Sequence, residues 1–271
     1  MIGGDKKMKP IVSVIMGVYN DEQYLSKAIE SILEQSFENF EFIICDDCST
    51  DKSLEIIESY AEKNERIIVL KNKKNLGLAA TLNKCIGVAR GKYIARMDSD
   101  DISLNHRLER ELIFLNQNPN VSVVGTQVEY IDKNGIPYKK SNLKILKPKF
   151  EDVLKKCCVI HPTVMMRKKD LEEVGGYTSN TLTRRAEDYD LWCKLGEKKF
   201  KIEIIDEYLF YYREDKNGLK KRKYKHRVEE FRLKKYWIKK CSNNKRLLLF
   251  AYKPLLVGLI PDFIMTRRKI K

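Results

Sequence analysis

Apolar and polar positions follow two different periods along the first hundred residues. Ile11–Val18 is a short, β-branched apolar run, the pattern of a strand buried on both faces. From Asp21 the period changes: Tyr24, Leu25, Ala28, Ile29, Ile32 and Leu33 recur at three and four residues. That spacing predicts an amphipathic helix, with Asn20 or Asp21 as its N-cap. Further strands are predicted at Glu41–Cys45, Arg66–Leu70 and Lys92–Arg96, and further helices at Ser53–Tyr60 and Leu78–Ala89.

Such alternation predicts an α/β fold, a mostly parallel sheet flanked by helices, because each crossover must be right-handed. Ligands of such sheets sit beyond the C-terminal ends of the strands. Here those ends are Gly17–Asn20, Asp46–Ser49, Lys71–Gly77 and Met97–Asp101. None carries a Gly-x-Gly-x-x-Gly or Walker-type loop, which argues against a dinucleotide dehydrogenase or a P-loop kinase.

Past Asp101 the pattern loosens. A helix is expected over Leu104–Asn116, a strand at Val121–Val124 and a long loop over 131–150. Strand-like Thr163–Arg167, a short helix at Lys169–Val174 and a helix at Asp188–Leu195 come next. Lys201–Ile205 and Tyr208–Tyr212 read as a final strand pair, and Gly218–Lys240 as a basic, aromatic-containing helix.

Charge divides the chain more sharply than periodicity does. The 271 residues carry a formal charge of +15, yet Lys216 onward holds 19 Lys and Arg against Glu229, Glu230 and Asp262, a local +16. Residues 1–215 therefore sum to about −1. The expected organisation is a catalytic domain, 1–215, and a basic amphipathic helical tail, 216–271, whose partner is an anionic membrane surface. Leu247–Met265 is apolar but interrupted by Lys253, Pro254, Pro261 and Asp262, which suits an interfacial segment and not a spanning helix. The alternative is a helix packed on the domain with a solvated basic face.

Seven scattered cysteines and no apolar leader before Ile11 lead us to expect a cytoplasmic protein, peripheral at the inner face of the cell membrane. Cys45 and Cys48 form a Cys-x-x-Cys that ends a strand and lacks a second pair. Buried or incidental thiols are expected there, not a redox or zinc pair.

Acidic residues gather at the predicted strand ends. Asp98, Asp100 and Asp101 follow an apolar strand directly, where carboxylates need a cation or water, and a hard divalent ion such as Mn2+ or Mg2+ suits them. Their alternative role is to cap a helix. Asp46 and Asp47 end a second strand and are also good turn formers. Glu187, Asp188 and Asp190 open an amphipathic helix; an acid there that faces a cleft can act as a general base.

In order, Val12–Asn20, Ser31–Ser36, Ile44–Asp51, Asn75–Gly77, Arg90–Asp101 and Glu187–Trp192 resemble the motifs of family 2 glycosyltransferases, which have the GT-A fold. The resemblance spans about residues 11–213. It implies that Tyr19 and the backbone of Gly17 and Val18 border a nucleotide base, which Asp47 contacts. Asn75 and Gly77 would lie near the nucleotide, with Asp98 and Ser99 beside the donor. Asp98 and Asp100 would flank Mn2+ or Mg2+, Asp100 being the stronger ligand, and Asp188 would be the catalytic base. His161 is a further metal candidate, with a loop histidine held by backbone as the alternative. Two positions depart from the pattern: many members have Pro at Gly17, and Gly is common at Cys48.

The activity so implied is inverting transfer from a nucleotide diphosphate sugar, with UDP favoured. The acceptor would be a hydroxyl of a glycan or lipid-linked oligosaccharide in surface polysaccharide synthesis. A nucleic-acid-binding protein is the rival prompted by the basic tail, but acidic strand ends would repel phosphate, so no nucleic acid is expected. A metal-dependent nucleotidyltransferase is the other rival; it would release pyrophosphate.

Overall fold

The computed structural model describes residues 9–214 and 224–259. Strands β1 (Val12–Val18), β2 (Phe40–Asp46), β3 (Ile67–Lys71) and β4 (Tyr93–Asp98) pair in parallel in the order β3-β2-β1-β4. β1 and β2 are buried nearly throughout, which is why no polar stripe marks them. The helices between them are α1 (Leu25–Leu33), α2 (Ser53–Ala61) and α3 (Leu78–Val88). Alternate strand residues face opposite layers: Val14, Met16, Phe42 and Ile44 pack with α1 and α2, whereas Ile15, Ile43 and Ile94 pack with α3.

The second half contains β5 (Ile102–Ser103), α4 (Arg107–Gln117), β6 (Val121–Ile131), β7 (Pro137–Lys140), α5 (Phe150–Lys155), β8 (Met165–Arg167), α6 (Lys168–Glu173), α7 (Glu187–Glu197) and β9 (Lys201–Arg213). The main sheet runs β3-β2-β1-β4-β8-β6-β9-β5, with β7 added to β6. β8 is antiparallel to β4 and β6, and β6 and β9 are parallel. The sheet is thus parallel across its first four strands and mixed beyond them.

Three local expectations are corrected. Neither Asn20 nor Asp21 caps α1 through its side chain: the carbonyl of Asp21 accepts from Tyr24 N (3.0 Å) and Leu25 N (3.1 Å), and both side chains turn to neighbouring loops. The last strand pair is one strand, β9. Ile205 pairs with Thr126 and Tyr208 with Gln127, so Asp206 and Glu207 form a bulge where a turn was expected. Residues 131–150 include β7, whose four residues are all exposed and so show no burial periodicity.

Helices α8 (Tyr224–Cys241) and α9 (Leu248–Gly258) complete the described residues. Leu233, Trp237, Ile238, Leu247 and Ala251 join the same core cluster as Leu191, Trp192 and Leu195. The described part of the basic tail is therefore packed on the α/β body. Residues 218–223 of the predicted basic helix and residues 260–265 of the apolar stretch lie outside the described residues. Among the described residues no helix is long and apolar enough to cross a membrane. All seven cysteines are free.

Candidate functional site

The parallel register brings the strand ends together, with Gly17 opposite both Cys45 and Asp98, and Val18 opposite Asp46. Their loops are then laced to one another. Asn20, in the left-handed region at φ 55°, accepts from Thr50 N (2.7 Å) and donates its own N–H to Ser49 Oγ (3.1 Å). Asp47 is 3% exposed, and its carboxylate accepts from Asn72 Nδ2, Leu76 N and Gly77 N, each at 2.8 Å. Asp47 thus fastens the turn that carries Asn75 and Gly77. Tyr19, directly after β1, stays 47% exposed.

Ser99 is buried and its hydroxyl donates to Asp21, which draws the β1 loop onto the turn after β4. In that turn Asp98, Asp100 and Asp101 bring carboxylate oxygens within 4.8 Å of one another. Burial, then Asp98 and Asp21, pushes the Asp100 carboxyl up to about 7. Asp101 is also held well above the usual carboxylate range, by burial first and then by Asp100 and Asp98. Its Oδ1 accepts from Arg213 N (2.7 Å), while Oδ2 is buried without a partner. Crowded carboxylates with an orphan oxygen are a donor set that a hard divalent cation relieves, so these residues fit Mn2+ or Mg2+.

Two arginines that sequence reasoning did not single out hold this turn. Arg96, 2% exposed on β4, forms an ion pair with Asp98. A charge inside an apolar strand, two residues before an Asp and so on the same face, was its available signal. Arg213 ends β9; its Nε donates to Asp100 O (2.6 Å), and its guanidinium lies 4.2 Å from the Tyr24 ring centre. It is 112 residues from Asp101, and no local pattern marks it.

Beside this turn opens a cleft of about 570 Å3, lined by Arg96, Asp98, Tyr130, His161, Arg185, Glu187, Asp188, Tyr212 and Glu214 among others. Asp98 reaches it from the end of β4, and Asp188 from the first turn of α7. Asp188 Oδ1 accepts from Tyr189 N (2.7 Å), and Oδ2 from the Cys157 thiol (3.4 Å). Cys157 is exposed at the surface, and the thiol donates to Asp188. Glu187 is raised, by burial and then by Asp188. Glu187 belongs to the acidic group that the sequence places at the start of this helix, whereas no sequence signal put Cys157 beside Asp188.

His161 departs from the expectation of a metal ligand. It is not in the carboxylate group: its Nε2 lies 2.6 Å from Tyr177 Oη, and its ring meets Trp192 edge-on at 5.8 Å. Burial and then Arg96 hold its pKa well below the usual value, so the ring is neutral. Its position is a wall of the cleft.

Known proteins share this architecture. The family model described as glycosyl transferase family 2 matches residues 13–175. The putative glycosyltransferase EpsE of Bacillus subtilis is 38% identical over 259 residues, covering 95% of this chain and 92% of that protein. The putative teichuronic acid biosynthesis glycosyltransferase TuaG of the same organism is 33% identical over 217 residues, covering 80% and 84%. Among solved structures, S. aureus TarS in complex with UDP-GlcNAc superimposes with a TM-score of 0.69 at 21% identity, covering 92% of this chain and 71% of that one. Family match, near full-length relatives and fold agree, and the chain belongs to the family 2 glycosyltransferases.

Proposed function

We propose that this enzyme is an inverting transferase that moves a sugar from a nucleotide diphosphate donor, UDP-sugar by preference, to a hydroxyl acceptor. The acceptor is a glycan or a lipid-linked oligosaccharide in surface polysaccharide synthesis, a reading supported by the name of TuaG. The observation that carries it is the single cleft lined by both Asp98 and Asp188. One marks the donor side and the other supplies a base.

The nucleotide would rest on Tyr19 and the backbone of Gly17 and Val18. The Asn75–Gly77 turn, held by Asp47, would close over it. Asp98 and Asp100 would hold Mn2+ or Mg2+, which when bound supplies positive charge beside the diphosphate. Arg96 keeps Asp98 aimed at that place, and Ser99 holds the turn against Asp21. Asp188 takes the proton of the acceptor hydroxyl as its oxygen attacks the anomeric carbon from the face opposite the leaving group. The bond to the diphosphate breaks, and the nucleoside diphosphate leaves with the electron pair. No covalent enzyme intermediate is needed, and the configuration inverts. A lipid-linked acceptor would be met at the inner face of the cell membrane, where the enzyme would act as a cytoplasmic, peripheral protein.

The test is Asp188→Asn, which keeps shape and removes the base. Transfer should fall by about 10²–10⁴-fold with donor affinity retained. Near wild-type turnover would remove Asp188 from the role.

A further inference from the structure

We propose that α8 and α9 together form a docking face for an anionic lipid surface. This deepens the reading of a lipid-linked acceptor and rests on it for its purpose, though not for the surface itself. In α9 and the residue after it, Leu249, Tyr252, Leu256 and Leu259 recur at i, i+3, i+7 and i+10, which places them on one side of the helix. They are 73%, 47%, 63% and 70% exposed. The opposite side is filled: Ala251 and Pro254 are buried, and Phe231 of α8 meets Tyr252 at 4.9 Å at the seam. A soluble surface seldom leaves so many large apolar groups contiguous without a use.

The rim selects the occupant. Lys253 sits within the apolar stripe, and Lys245 and Arg246 are exposed where it begins. α8 adds exposed Lys225, Arg232, Tyr236 and Lys239 at i, i+7, i+11 and i+14, again one side of a helix. From Phe231 to Pro261 the sequence contains no Asp or Glu. A partner protein would need an apolar groove framed by acidic residues that meet both helices at once. A layer with acyl chains beneath negative headgroups matches the leucines, the tyrosines and the acid-free basic rim together.

The face is also rigidly connected to the chemistry. Trp237 of α8 donates from Nε1 to Asp190 Oδ1 at 2.8 Å, and Asp190 belongs to the helix whose first turn carries Asp188. Docking through α8 and α9 therefore sets the attitude of the cleft to the surface.

The experiment is vesicle flotation of the full chain, with phosphatidylcholine vesicles and with vesicles containing phosphatidylglycerol, for wild type and for Leu249→Asp/Leu256→Asp. Both leucines are exposed, so the fold should survive, and metal-dependent UDP binding is measured alongside. Wild type should float with the anionic vesicles and release as salt is raised. The double variant should lose at least about tenfold of that binding with UDP affinity unchanged. No flotation, or equal flotation with both vesicle types, overturns the proposal. So does a self-associated wild type that the double variant converts to monomer, since the stripe would then join two copies. Vesicle binding without any UDP binding keeps the docking face and overturns the donor reading instead.

Discussion

Trp237 Nε1 donates to Asp190 Oδ1 across 2.8 Å, and both residues are at least nineteen-twentieths buried. The other oxygen of Asp190, Oδ2, is buried without a partner, so the side-chain bond from Trp237 is what satisfies Oδ1 of this buried carboxylate. Trp237→Phe keeps most of the packing and strands that oxygen, at a cost of about 1–3 kcal/mol. Thermal denaturation should show a clearly lower Tm than wild type. An unchanged Tm would mean that the tail and the catalytic body are not coupled through this pair.

The same bond shows where sequence reasoning reaches and where it stops. β1, β2 and β4 are legible because both faces of each strand are sheltered, β3 because its apolar run survives at a half-buried sheet edge, and their loops because acidic and turn-forming residues concentrate at the strand ends. Asp98, Asp100 and Asp188 stand where the periodicity puts them. The basic tail, by contrast, reads as an appendage because charge dominates its composition. Its attachment depends on Leu233, Trp237 and Ile238, buried residues of a helix whose exposed side is mostly Lys and Arg with Tyr236 among them. Arg213 and Asp101 meet across 112 residues, a tertiary contact with no local trace. Cys48 is a subtler case. Its φ of 65° lies in the left-handed region, the conformation that explains the glycine common at that position in similar proteins.

Asp47 acts in this structure by holding a turn. Asp47→Asn leaves one amide where a carboxylate accepted three hydrogen bonds, so the Leu76 and Gly77 N–H groups lose at least one acceptor. UDP affinity should fall by about 10- to 100-fold, which equals roughly 1.4–2.8 kcal/mol. Limited proteolysis should cut the variant near Asn75 more readily than wild type. Equal affinity and equal proteolysis would show that the turn is held by other contacts.

Beneath the carboxylate turn, Glu111 is wholly buried, with neither oxygen hydrogen bonded, beside Arg107 in the same helix. Burial pushes its carboxyl up to about 8, against the opposing pull of Arg107. The folded protein therefore keeps a proton that the unfolded chain releases near pH 4.5. Its stabilising contribution is complete below that value and is lost as pH rises through about 8. Glu111→Gln stays neutral, so its stability should decline less over that window, with a difference on the order of 1–3 kcal/mol at the alkaline end. Denaturant midpoints from about pH 4.5 to pH 8.5 measure it. Parallel curves for the two proteins would contradict the protonated state.

The central claim is that a nucleotide binds beside Asp98 and Asp100 with a divalent cation. Calorimetric titration of UDP, with and without Mn2+, on wild type and on Asp100→Asn tests it most directly, with GDP and CDP as alternatives. The account predicts UDP binding that requires Mn2+ and weakens at least about tenfold in the variant, or 1.4 kcal/mol. Equal binding without the metal, or no binding of any of the three nucleotides to wild type, would contradict it.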